Sequence, residues 1–327
     1  MSKVLVTGGA GYIGSHTVLC LLDAGYDVLV YDNLSSGFAA AVLPPAQLVQ
    51  GDLTDLDKLN NLLAENNFQS IIHFAADIVV PESVKNPLKY YKNNTLNTTR
   101  LIELAVRHQI QNFIFSSTAA VYGIPDELPV HEGAPLQPIN PYGRSKLMSE
   151  LILQDAAQAH PKLKYIILRY FNVAGADPQG RLGQSTPEAT HLIKVACQAA
   201  LGQRQSLDIF GTDYPTKDGT GVRDYIHVTD LSLAHVAALE HLQQGQGSKI
   251  LNCGYGHGYS VLDIVQAVER VSKTKLPTRK VERRPGDPAE LVADPCRIRA
   301  AFNWLPRYDD IEKIVQTAYA WEQNQRY

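Results

Sequence analysis

Tyr142 and Lys146 stand four residues apart in Pro141-Tyr142-Gly143-Arg144-Ser145-Lys146. On a helix that spacing puts both side chains on one face. A free tyrosine keeps its proton to a pH of about 10. A neighbouring ammonium favours the phenolate and lowers that value. A phenol tuned toward neutrality is a base able to take the proton of a hydroxyl. Ser116-Ser117-Thr118 closes the β-rich run 112–117, and a hydroxyl there would hold a substrate oxygen beside Tyr142.

Thr7-Gly8-Gly9-Ala10-Gly11-Tyr12-Ile13-Gly14 carries the pattern Gly-x-x-Gly-x-x-Gly between an apolar run and a helical stretch. In that position Gly8 permits a tight turn, Gly11 lets a pyrophosphate approach the backbone, and Gly14 lets helix pack close to strand. The helix N-terminus then presents partial positive charge to the phosphates. Asp32 ends the next β-rich run, and Asn33-Leu34-Ser35-Ser36-Gly37 holds neither Arg nor Lys. A carboxylate there accepts from a ribose diol and repels a 2′-phosphate, which selects NAD over NADP. An oxidised nicotinamide beside Tyr142 would favour the phenolate further.

These residues need a scaffold. Strands are predicted at 4–7, 27–31, 48–51, 70–74, 112–117 and 165–171, with helices at 14–24, 56–65, 88–108 and 141–159 between them. Such alternation implies a doubly wound parallel sheet of α/β class, and the continuous apolar runs suit strands covered on both faces. Residues 172–187 are rich in Gly, Pro, Asp and Gln and read as loop. Beyond them lie a predicted helix at 187–201, a strand near 208–210, a glycine turn at 218–221 and a strand at 222–227. Helices at 230–243, 261–272 and 309–322 follow. The expected organisation is a dinucleotide-binding domain over 1–172 and a smaller mixed α/β substrate domain over 173–327, with segments near 222–244 returning to the first.

Composition narrows the class. The chain has 327 residues, 45% hydrophobic and 19% charged, with a formal net charge of −3. That is a globular balance, without the basic excess of a nucleic-acid binder. No apolar run approaches the ~20 residues of a membrane helix, and the first residues do not read as a signal peptide. Cys20, Cys197, Cys253 and Cys296 form no Cys-x-x-Cys pair. They read as buried free thiols of a reducing cytosol, with no metal site.

The motifs together resemble the extended short-chain dehydrogenase/reductase superfamily and, within it, the UDP-glucose 4-epimerase family. The resemblance runs from residue 3 to about residue 294. It is most specific at Asp218-Gly219-Thr220-Gly221-Val222-Arg223-Asp224-Tyr225-Ile226-His227, and extends through Arg169-Tyr170-Phe171-Asn172 and 283–287. It implies that Tyr142 is the base, Thr118 the substrate-holding hydroxyl and Lys146 the ligand of the nicotinamide ribose. It assigns NAD contacts to Tyr12, Ile13, Asp32, Asn33, Asp52, Leu53, Phe74, Ala75, Asn94 and Tyr170. UDP-sugar contacts fall on Asn172, Leu192, Phe210, Arg223, Arg284 and Asp287, with Leu291 against the sugar. The implied activity is reversible C4 epimerisation of UDP-glucose and UDP-galactose by a cytoplasmic homodimer.

Physical chemistry fits those assignments. Arg223 and Arg284 offer fork geometry for phosphate oxygens, Asp287 an acceptor for a sugar hydroxyl, and Phe210 a ring for uracil. Against the family pattern, Ile78 stands where many members carry lysine, and His191 where some carry asparagine. Leu291 stands where some members carry tyrosine and others a small residue, which opens the question of N-acetylated sugars. Related dehydratases need a carboxylate just after the Ser/Thr, whereas Thr118 is followed by Ala119-Ala120-Val121-Tyr122. A non-catalytic NAD sensor would not need Tyr142 and Lys146. A UDP-pentose 4-epimerase shares the chemistry and is the alternative.

Overall fold

The computed structural model describes residues 2–186, 189–284 and 287–327. Six strands of the first half build most of a parallel sheet: β1 (Lys3–Thr7), β2 (Asp27–Asp32), β3 (Gln47–Gln50), β4 (Ser70–His73), β5 (Asn112–Thr118) and β6 (Lys164–Tyr170). A seventh, Lys249–Cys253, returns from far along the chain to pair with β6. The spatial order is 249–253, β6, β5, β4, β1, β2, β3. Direction of winding reverses at β1, and the crevice at the carboxyl ends of β1 and β4 is where such sheets bind ligands.

Alternation along each strand feeds two cores. Val4, Val6, Val28, Val30 and Ile72 pack on one face with Val18 and Leu21 of α1 (Tyr12–Asp23) and with the helix Val228–Gln243. Leu5, Leu29, Ile71, Phe113 and Phe115 pack on the other with α2 (Leu56–Glu65). Because successive strand side chains point to opposite faces, β4 and β5 are buried at every position.

The second face is completed by α3 (Val80–Lys85), α4 (Pro87–Tyr90), α5 (Asn97–Arg107) and α6 (Pro141–Ala159). The continuous helix expected over 88–108 is interrupted by a π-helical turn at Tyr91–Leu96. There the Asn94 carbonyl accepts from the Ser149 hydroxyl and the Asn94 side chain bonds Asp77 and Ser145, tertiary contacts that accompany the widened turn.

The second half departs further from expectation. Asn172–Ala174, read as loop, is a short strand paired with Tyr225–His227. The strand expected at 222–227 divides at Asp224, whose buried carboxylate accepts from the amides of Tyr255, Gly256 and Ala293. Its first half, Val222–Arg223, pairs instead with Tyr259–Ser260 and Glu290–Leu291. The helix expected at 187–201 spans Leu192–Ala200; Pro187 and Glu188 lie outside the described residues. Val228–Gln243 packs in the same core as α1, and Lys249–Cys253 pairs with β6 at the edge of the sheet. Cys197 and Cys253 are buried free thiols, but Cys296 is exposed because it opens a surface helix. Among the described residues no helix is long and apolar enough to cross a membrane.

Candidate active site

The glycine loop joins β1 to α1. Gly8 has φ +74°, and a Cβ there would lie 2.5 Å from the Ala75 amide nitrogen; one at Gly14 would lie 2.2 Å from the Gly8 carbonyl. Gly11 is different: its nearest neighbour would be 3.4 Å away. It caps α1 without a side chain, and no acidic residue occupies the first turn. The first amides of α1, including those of Tyr12 and Ile13, are therefore free of a side-chain cap and suited to an anion.

Asp32 closes the cradle at the end of β2. Its carboxylate accepts from Ala10 N at 2.9 Å and Leu34 N at 2.8 Å, leaving lone pairs for a diol. Asn33 donates to Asp52 at 2.6 Å, with Leu53 buried beside them. Phe74 and Ala75 follow β4, and both amides bond the Thr7 carbonyl. Tyr12 is drawn away, its hydroxyl donating to the Gly175 carbonyl at 2.6 Å. This cradle fits the pyrophosphate and adenosine ribose of NAD.

Tyr142 lies in the first turn of α6, a helix started by Pro141 and capped by Asn140, which accepts from Gly143 N. Tyr142, Lys146 and Thr118 are 7%, 3% and 8% exposed. Lys146 donates to the Ser116 carbonyl at 2.9 Å and sits 4.9 Å above the Phe115 ring. Asn94 reaches the same place, donating to Ser145 at 3.1 Å, and Tyr90 meets Tyr142 edge-on at 6.5 Å. Tyr170 is bonded to the Ser116 hydroxyl at 2.9 Å.

The electrostatics correct one expectation. Burial pushes the Tyr142 phenol well above its ordinary value, Tyr170 adds to the shift, and the Thr118 hydroxyl offsets part of it. The Lys146 ammonium points at the Ser116 carbonyl, and burial lowers that amine to about 8 against the opposing pull of Glu150. In the chain alone burial is the largest influence on this phenol, and an oxidised nicotinamide bound beside it would act in the opposite direction.

The substrate-side residues form two further groups. Asn172 and Leu192 line a small cleft with Gln184, His191, Tyr225 and Trp321. Arg223 forms an ion pair with Asp287 and donates to the Pro288 carbonyl at 2.7 Å. Arg284 lies 3.9 Å from the centre of the Phe210 ring, on the neighbouring strand pair. Leu291 stands opposite Arg223 in register and packs with Ala119, Tyr122 and Phe171 beside Thr118. Pro285 and Gly286 lie outside the described residues. No hydrogen bond among the described residues joins the Arg223 or Arg284 group to Tyr142.

Glu150 and Asn252 were not named from sequence, and Arg169, Ser117 and Tyr122 were named only inside motifs, without a role of their own. Glu150 extends the face of Tyr142 and Lys146 by one more turn, a spacing that was readable. Arg169 is a lone charge inside an apolar strand, which was also a signal. Asn252, which reaches this group through Tyr122, shows no local pattern.

Comparisons with known proteins agree with the geometry. Residues 4–254 match the model of the NAD dependent epimerase/dehydratase family. A UDP-glucose 4-epimerase of Azospirillum brasilense is 54% identical over 98% of this chain and 92% of its own. A UDP-Glc/GlcNAc 4-epimerase structure from Campylobacter jejuni is 50% identical, with TM-score 0.87 and 99% coverage of both chains. The UDP-glucose 4-epimerase of Bifidobacterium longum, solved with NAD+ and UDP, superimposes with TM-score 0.95 at 38% identity over 99% of both chains. With a glycine cradle, an acid after β2 and a buried tyrosine–lysine pair on one scaffold, the chain belongs to the NAD-dependent epimerase/dehydratase family.

Proposed function

We propose that the protein interconverts UDP-glucose and UDP-galactose by inverting C4, with NAD held in the glycine cradle. The observation that carries this reading is the buried group Tyr142, Lys146 and Thr118 at the carboxyl end of β5, with no carboxylate following Thr118. NAD, when bound, supplies a reversible hydride acceptor, so the sugar passes through a 4-keto form without a second oxidant. Gly11, Tyr12 and Ile13 hold its pyrophosphate through backbone amides, Asp32 and Asn33 its adenosine ribose, and Lys146 its other ribose. Asp52, Leu53, Phe74, Ala75, Asn94 and Tyr170 complete its walls.

Tyr142 takes the proton of the 4-hydroxyl and later returns it, while Thr118 orients the same oxygen. Arg223 and Arg284 retain the diphosphate, Asp287 a hydroxyl and Phe210 the uracil, with Asn172 and Leu192 lining the passage. Tethering by the nucleotide alone lets the sugar present either face. Residues 1–172 with the returning segment form the cofactor domain, and the remainder the substrate domain. We place the enzyme in the cytoplasm, which suits its free thiols.

We also propose a homodimer. Val84, Leu88, Leu96, Met148 and Leu151 are exposed apolar residues on α3, α4, the π-helical turn and α6, which contact one another. Apolar surface of this kind marks an interface. A native mass spectrum should show two chains, and Leu151→Glu should yield one.

A second reading, acceptance of N-acetylated sugars, is favoured by Leu291 and by the substrates in the name of the Campylobacter jejuni relative. The deciding experiment is NMR of the products formed from UDP-galactose, UDP-N-acetylgalactosamine and UDP-arabinose. UDP-glucose should dominate; turnover of the pentose alone would replace this reading with that of a pentose epimerase.

A further inference from the structure

Directly behind Tyr142 and Lys146 lies a buried ionic network to which the proposed reaction gives no role. Glu150 follows Lys146 by one helical turn, and its side chain is fully buried. Arg169 on β6, 1% exposed, donates to it from Nη2 at 2.6 Å and from Nε at 3.0 Å. The Ser117 hydroxyl donates to the same carboxylate. Arg169 reaches on to the Tyr122 hydroxyl at 3.0 Å, and Tyr122 donates to Asn252 of the returning strand at 2.6 Å.

Three consecutive residues of β5 thus face three turns of α6. The Ser116 carbonyl takes Lys146, the Ser117 hydroxyl holds Glu150, and the Thr118 hydroxyl acts on Tyr142. A buried ion pair adds little net stability over apolar packing, yet its bonds demand one geometry. Hydrogen bonds weaken steeply with distance and angle, so sliding α6 along β5 would break the Glu150 contacts.

We infer that Glu150, clamped by Arg169 and Ser117, is a positioning residue of the reaction: it sets the register of α6 on β5, so that Tyr142 and Lys146 meet the substrate and cofactor at the height of Thr118. This rests on the epimerase reading of the site. Its charge bears on Lys146 as well. The groups facing that amine are Glu150 on α6, the Phe115 ring and Ser116 carbonyl on β5, and His73 on β4, which burial holds neutral with a pKa near 3. Tyr90 and Tyr170 face Tyr142 as neutral phenols. Glu150 is the one anion among them.

The test uses purified, NAD-loaded enzyme and measures kcat from pH 6 to 10 with UDP-galactose, UDP binding by calorimetry, and bound NAD. Glu150→Gln keeps the shape and removes the charge. It should lower kcat about 10- to 100-fold, the scale of a displaced catalytic group. The alkaline limb of its profile should move to lower pH, while UDP affinity stays at the parent's value. A merely structural role would lower the folded fraction and leave the profile of the folded enzyme in place. A folded Glu150→Gln with the parental kcat and limb overturns the proposal. If that variant does not fold, Ser117→Ala decides. Losing one hydrogen bond should lower kcat about threefold to tenfold, and a parental value overturns the proposal. An inactive parent would overturn the epimerase reading and this proposal with it; an active parent with unchanged variants overturns the proposal alone.

Discussion

Tyr142, Lys146 and Thr118 sit on long regular elements and are all but closed to solvent, whereas Arg223, Phe210, Arg284 and Asp287 sit on two- to four-residue strands and the segments between them. In the first region Lys146 donates to a carbonyl fixed by the sheet, and the Thr118 hydroxyl bonded to Tyr142 sits at the end of the same strand. In the second, the charges satisfy one another: Arg223 is paired with Asp287, whose side chain is 38% exposed, and Arg284 stacks on Phe210. A reacting centre tolerates little displacement, so it is built on rigid elements. A nucleotide anchor must release its own ion pairs to take a ligand, which is easier where water can assist.

The sharpest test of that division is Tyr142→Phe. It keeps the buried ring and removes the acid–base group, so turnover should fall by roughly 10² to 10⁴. Calorimetric UDP affinity should stay unchanged. Equal loss of both would mean that the two regions are one.

Arg223→Met should show the converse signature. Hydrogen bonds to charged groups contribute about 1.5–3 kcal/mol, which is roughly a 10- to 150-fold weaker UDP affinity. At saturating substrate, kcat should move little. The comparison breaks if kcat falls as far as affinity does.

The same contrast explains which parts could be read in advance. Helices 56–65, 141–159 and 261–272 are recovered end to end, and the structure shows Asp55, Asn140 and Ser260 capping their starts with side-chain acceptors. Tyr142 and Lys146 are local in sequence, and so is the glycine loop. The strand Lys249–Cys253 escapes notice because its place beside β6 is set by pairing with residues some eighty positions earlier. The division of 222–227 at Asp224 depends on three amides from two distant segments. Nothing local in the sequence announces such contacts. The unaided Tyr142 phenol was misjudged for the same reason, since spacing reveals a neighbouring lysine but not how deeply both are buried.

Burial on the catalytic side also has a pH signature. His73 is bonded to Thr7 at 2.7 Å and Thr98 at 2.8 Å, and burial, aided by Lys146, holds its pKa near 3. The unfolded chain protonates this histidine near pH 6.5 and the folded one does not, so stability is lost as pH falls from 6.5 toward 3. The slope is about 1.4 kcal/mol per pH unit for one proton. Urea midpoints at pH 6.5 and 5.5 should therefore fall less in His73→Asn than in the parent. Parallel losses would show that His73 is free to protonate in the folded state.

Leu291 is where the two regions touch, and its effect should fall on the choice of sugar and leave turnover of UDP-galactose nearly unchanged. It stands opposite Arg223 in the strand register, yet its side chain packs against Ala119, Tyr122 and Phe171, one residue beyond Thr118. On the proposed reading it lies between the diphosphate anchor and the reacting oxygen, against the sugar's substituents. Leucine is smaller than tyrosine and larger than serine, so the space it leaves is intermediate. Overpacking by several heavy atoms typically costs about 1–3 kcal/mol, or roughly 5- to 150-fold against an N-acetylated sugar. Leu291→Ser should raise the ratio of kcat/KM for UDP-N-acetylgalactosamine over UDP-galactose, and Leu291→Tyr should lower it. Both variants keep Tyr142 and Arg223 in place, so turnover of UDP-galactose itself should change little. If neither ratio moves by more than about twofold, under ~0.5 kcal/mol, Leu291 belongs to the apolar cluster behind Thr118 and not to the sugar pocket. The selectivity of the enzyme would then have to be sought in the Asn172–Leu192 cleft instead.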